Sequence, residues 1–99
     1  MYGILISLDL DAIMKQFPDD DSAVANIYYD IRKSLEESGF YGKCANLYVS
    51  RAFENKNAVD CVLAAQRLAK KLPWLVPCLK SINMLRIEDY DDLMPAIDG

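Results

Sequence analysis

The sequence predicts an α+β sandwich: an antiparallel sheet with two helices on one face and a short C-terminal extension. Three observations lead there. Several short segments alternate apolar and polar residues with period two, and two longer ones carry apolar stripes at helical spacing. The segments follow one another as strand, helix, strand, strand, helix, strand. A chain of 99 residues suits one compact domain over 1–99 and is too short for two.

The first strand lies in MYGILISLDLD. Alternation puts Ile4, Ile6, Leu8 and Leu10 on a core face, and Gly3, Leu5, Ser7, Asp9 and Asp11 on the other. A loop with Pro18 and the acids Asp19, Asp20 and Asp21 leads to a helix over about 21–38. Those acids suit a helix N-terminus, where free N–H groups and the dipole favour negative charge. Val24, Ile27, Tyr28, Ile31 and Leu35 form the stripe of that helix, and Gly39 suits the residue just past its end.

Two strands follow, Phe40 to Lys43 and Asn46 to Phe53, joined near Gly42 to Ala45. In the second, Leu47, Val49 and Phe53 alternate with Asn46, Tyr48 and Ser50. Asn55 or Asn57 is placed to cap a second helix carrying Ala58, Val62, Ala65, Leu68, Ala69 and Leu72, which Pro73 stops. Trp74 and Leu75 read as a packed turn. The last strand, Leu79 to Glu88, has Ile82 and Met84 on one face and Leu85 and Ile87 on the other. The acids Glu88 to Asp92 then open the C-terminal segment and read as a solvated run.

Two helices separated by a strand pair fit the ferredoxin-like βαββαβ arrangement, with both helices on one sheet face. The other face then carries Leu5, Tyr48 and one apolar set of the last strand. An open apolar face of that kind predicts a homodimer packed sheet against sheet. Asp9 and its symmetry mate would then lie near a shared cleft.

Composition narrows the chemistry. A formal charge of −4 argues against broad nucleic-acid binding but leaves eleven basic residues for a local groove. Cys44, Cys61 and Cys78 form no C-x-x-C pair and read as buried thiols of a reducing compartment. The first residues lack the basic flank of a signal peptide, and their apolar run is too short to span a bilayer. A cytoplasmic protein with no membrane contact is expected. The chain has no histidine, which removes Ser-His-Asp and Cys-His nucleophile pairs and the usual zinc sites. Catalysis would rest on carboxylates, Tyr, Lys, Arg, Ser or Cys.

Four blocks carry a family resemblance: MYGILISLDL, YYDIRKSLEESGF at 28–40, NLYVS at 46–50 and LKSINMLRIEDYDDL at 79–93. In this order they resemble the virulence-associated protein D family, which is itself similar to the small CRISPR-associated ferredoxin-like nucleases. The resemblance implies a homodimeric, purine-preferring endoribonuclease. It also implies a toxin role, with an antitoxin protein as partner. By position it makes Asp9, in Leu8-Asp9-Leu10, the main active-site residue, with Asp11 as a competitor. Two steps depart from the family pattern: Ala45-Asn46 replaces Gly-Ser, and Ser81-Ile82-Asn83 replaces Asp-Ile-Arg.

RNA cleavage needs an activated oxygen nucleophile, a stabilised pentavalent phosphate and a protonated leaving oxygen. The expected site has Asp9 as base or as ligand to Mg2+, with Asn46 and Tyr48 beside it on the same sheet face. Lys43, Arg51 and Arg86 are the expected phosphate contacts, and Tyr48 is alternatively a stacking platform for a base. The bland readings are a solvated strand end for Asp9 and sheet-surface positions for Asn46 and Tyr48. Two other functions remain beside the endoribonuclease: a catalytically silent dimeric interaction protein, favoured by the two departures, and a small-ligand regulatory module.

Overall fold

In the computed structural model, Ile4, Ile6 and Leu8 bury one face of β1 (Tyr2–Leu8), and the rest of the molecule is arranged around that face. The structure describes residues 1–44, 46–51, 54, 56–87, 93 and 96–97, with the side chain of Cys44 left aside. The expectations for Phe53, Asn55, the Ala45 step and the acids at 88–92 fall outside the described residues.

β1 continues into a short helix, α1 (Leu10–Gln16), and then α2 (Ala23–Glu37). β2 (Tyr41–Cys44) and β3 (Leu47–Val49) precede α3 (Ala58–Lys71). A 3-10 helix, Pro73–Cys78, leads into β4 (Leu79–Arg86). The sheet order is β2-β3-β1-β4 with antiparallel pairing throughout, which is the ferredoxin-like arrangement. Ile27, Ile31 and Leu35 of α2 and Cys61, Ala64 and Leu68 of α3 share one core with Ile4, Ile6 and Leu8.

The helix ends follow local chemistry. Gly39 has φ +86°; its N–H donates to Glu36 O at 3.0 Å, and Phe40 N–H donates to Leu35 O at 2.9 Å. That is a Schellman closure, with buried Phe40 packed near buried Leu35 to lock the exit of α2. Asn57 caps α3: its side chain accepts from Asp60 N–H at 3.1 Å, while the Asp60 carboxylate accepts from Asn57 N–H at 2.9 Å. Asp20 accepts from Ser22 N–H at 2.9 Å, so one of the three predicted acids steadies the entry to α2.

Two expectations change. The segment after Asp9 was expected to be a loop but forms α1, and Leu10 is therefore exposed rather than in the core. Phe17 ends α1 because a residue before proline is driven out of helical geometry. The faces of β3 are also reversed. Tyr48 pairs with Ile4 and is buried under the helices, with Ser50, whereas Leu47 and Val49 pair with Leu5 and Gly3 on the open face. Gly3 makes room for them, since a Cβ there would stand 3.2 Å from Val49 Cγ1 and 3.3 Å from Leu47 Cδ1. The open face thus carries Leu5, Leu47, Val49 and Leu85, and Tyr48 is not part of it.

Candidate functional site

Asp9 sits where β1 hands over to α1, half-buried, and is the N-cap of that helix. Its Oδ1 accepts from Ala12 N–H at 3.1 Å, and its N–H donates to Cys78 O at 2.8 Å. The cap explains why an apolar strand ends in an acid rather than in a glycine turn: the carboxylate satisfies a helix N–H that has no other partner. One carboxylate oxygen is occupied by that bond. Beneath it, burial pushes the Cys78 thiol up, and the Asp9 charge adds to the effect. Cys78 Sγ donates to Gln16 Oε1 at 3.1 Å.

Asn46 lies beside Ile6, whose N–H donates to Asn46 O at 2.9 Å. Three residues separate Ile6 from Asp9, roughly 10 Å at strand rise. The Asn46 side chain points to the helix side, where its Oδ1 accepts from the Tyr28 hydroxyl at 3.1 Å. Tyr48, opposite Ile4, is farther still from Asp9, roughly 15 Å along the strand. Asn46 and Tyr48 therefore turn to the helix side and stand away from Asp9, contrary to the alternation-based expectation.

What the chain does bring together is a cleft of about 660 Å3 between α2 and the β2–β3 edge. Tyr28, Tyr29, Arg32 and Glu36 form its helical wall, Gly42 and Lys43 the strand wall, and Tyr48 its floor. Lys43 is the unmatched residue of a β-bulge, since Gly42 pairs with Tyr48 and Cys44 with Leu47. Over the Tyr29 ring stand Arg32 Cζ at 5.5 Å and Lys33 Nζ at 5.4 Å from the centroid. Burial raises the Tyr48 phenol above its ordinary pKa, Tyr28 adds to this, and the charges of Arg32 and Glu36 oppose each other.

Of the other two basic positions, Arg51 stands at the edge of this cleft, against Tyr41, which also lines it, and Arg86 lies elsewhere. Arg51 Cζ is 4.3 Å from the Tyr41 ring centroid, and Tyr41 pairs with Val49 on the open face. Arg86 pairs with Tyr2, at the opposite end of β1 and roughly 20 Å from Asp9. Within one chain, then, neither guanidinium meets the Asp9 carboxylate. Sequence reasoning missed Tyr29, Arg32 and Glu36. Their signal was the i, i+3, i+4 spacing of aromatic and charged residues along one side of α2. Among the described residues, no three His, Cys, Asp or Glu side chains gather as a metal group, and no helix is long and apolar enough to cross a membrane.

The geometry defines a ferredoxin-like sandwich with a capped acid at the end of an inner strand and, apart from it, an aromatic, charged cleft. No protein-family model matches the chain. It is 39% identical over 97 residues to "Endoribonuclease VapD 2" of Riemerella anatipestifer, covering 98% of this chain and 99% of that protein. It is 38% identical over 99 residues to "Endoribonuclease VapD homolog" of Helicobacter pylori, covering 98% and 96%. The chain belongs to the VapD family.

Proposed function

We propose that this protein is an endoribonuclease that cuts single-stranded RNA through Asp9. The observation that carries the reading is identity of 38–39% across nearly the whole chain with two proteins named endoribonucleases. The absence of histidine adds to it, because a carboxylate is then the natural proton acceptor for a 2′-OH or water nucleophile. Asp9 retains one carboxylate oxygen outside the cap bond for that task. Asn46 keeps its amide N–H donors for a phosphate oxygen, since its Oδ1 is the atom bonded to Tyr28.

Active protein in this reading is a homodimer joined through the open sheet face, where Leu5, Leu47, Val49 and Leu85 would be covered. Dimerisation supplies what one chain lacks, a second Asp9 and basic groups from another copy. In this reading Mg2+ would be held as a largely hydrated ion by the Asp9 carboxylate oxygen outside the cap bond, since magnesium commonly takes one or two carboxylates and keeps several waters. When bound it would offset phosphate charge. A cytoplasmic location is supported by the free, buried thiols of Cys61 and Cys78. A toxin role, restrained by an antitoxin protein, is supported by the family resemblance. Its test is growth arrest on induced expression, abolished by Asp9→Asn.

The deciding experiment is cleavage of a mixed-sequence RNA by wild type and Asp9→Asn, in Mg2+ and in EDTA. Wild type is expected to cut and Asp9→Asn to leave the RNA intact. Equal cutting by both proteins would remove Asp9 from the mechanism, and no cutting by either would favour the silent interaction protein. Mass in solution checks the dimer, and a monomer at micromolar concentration contradicts it.

A further inference from the structure

We infer that the cleft between α2 and the β2–β3 edge seats one unstacked nucleotide of a single-stranded RNA, an inference that rests on the reading of RNA as substrate. The cleft is about 660 Å3, within the roughly 300–1,000 Å3 range of small-molecule sites. Its residues match the three parts of a nucleotide. Tyr28 and Tyr29 offer aromatic surface for a base, above the buried floor residue Tyr48. Arg32 and Lys43, on opposite walls, offer charge for the flanking phosphates. Glu36, one turn beyond Arg32, accepts a hydrogen bond from a ribose hydroxyl or a base amino group. A bare anion site would not include that acid, so the mixed charge favours a ligand with both phosphates and donors.

A second observation comes from Tyr48 itself. The residue is only 4% exposed, yet it lines the cleft, so what remains accessible of it faces that space. Gly42 keeps the approach clear. A Cβ at that position would stand 3.8 Å from Tyr48 Cε1, in van der Waals contact with the ring. The helical wall of the cleft lies on the side away from the open sheet face, with Tyr41 at the strand edge, so a dimer built through that face leaves the α2 wall uncovered. Asn46 accepts from the hydroxyl of Tyr28, one of the residues of that wall.

The test uses full-length Asp9→Asn protein, so that binding is read without cutting. Fluorescence anisotropy in EDTA measures its affinity for a short mixed-sequence single-stranded RNA. Adding Arg32→Ala, Tyr29→Ala or Gly42→Val is expected to weaken binding about tenfold. Arg32 and Tyr29 are exposed, so their variants should melt like the parent; Gly42→Val narrows the cleft without removing a polar group. RNA carrying 4-thiouridine should cross-link to Tyr28, Tyr29 or Tyr48. The inference is overturned if all three variants bind within about twofold of the parent, the parent binds no RNA, or cross-links fall only on the open face. It is also overturned if a free mononucleotide binds and the strand does not. Cutting by wild type that survives every cleft variant would sink the cleft and leave the nuclease reading standing. Cleft-dependent binding without cutting by wild type would do the reverse.

Discussion

Asp9 and the tyrosine cleft are built in opposite ways. Asp9 is fixed by its near neighbours in sequence: one carboxylate oxygen is held by Ala12 three residues on, and among the described residues the bond to Cys78 O is the one that comes from afar. The cleft takes its walls from α2, β2 and β3, and no two adjacent elements would form it alone. A local cap is robust and easily mistaken for the whole explanation of a residue. A non-local cleft depends on the fold and vanishes from view in the sequence. The contrast also separates roles, since a cap tolerates any short acceptor whereas proton transfer needs the carboxylate.

The largest expected effect exploits that difference. Asp9→Asn keeps an N-cap acceptor but loses the base, so RNA cleavage should fall by about 10²- to 10⁴-fold while the melting curve stays in place. An equal loss of activity and stability would make Asp9 a structural residue. Next comes the cleft floor. Tyr48→Ala empties a site in the core and should cost about 3 kcal/mol in urea unfolding, whereas Tyr29→Ala, half exposed on the wall, should change stability by less than about 0.5 kcal/mol. Similar values for the two would mean that the floor is not packed as described.

Smaller again is the cap alone. Asp9→Ala should lose about 1 kcal/mol relative to Asp9→Asn, read from paired thermal melts. The smallest effect is one of pH. Burial raises the Tyr48 pKa, so the folded state holds its phenol proton more tightly than the unfolded chain, which releases it near pH ~10. That contribution is fully present below pH ~10 and is lost as pH rises through the folded value. Urea unfolding on either side of that pH should show a steeper alkaline decline in wild type than in Tyr48→Phe.

How much of this the sequence revealed follows from the range of each signal. The stripes of α2 and α3, the Gly39 exit and the Pro73 stop were legible because capping and helical periodicity act within a few residues. The ferredoxin-like class followed from the order of the elements along the chain. α1 was hidden because Leu10 continues the period-two alternation of β1, and only Ile13 of this helix is buried. β3 misled because its polar-looking set, Asn46, Tyr48 and Ser50, turns inward, while Leu47 and Val49 face out over Gly3. Tyr48 is largely hydrocarbon and buries as such, and Asn46 is satisfied by Tyr28. Asp9 was singled out by position, but its cap bond needed the helix to be seen first.

The closure at Gly39 indexes α2 like a key in a slot. Because Phe40 and the two backbone bonds fix where the helix ends, they also fix its rotation about its own axis. One residue added within α2 after Glu36 would turn everything before it by about 100° relative to β2. Tyr28, Arg32 and Glu36 would swing away from Lys43 and Tyr48 together, without any of them being changed. The length of this connection is thus as much a part of the cleft as the side chains that line it.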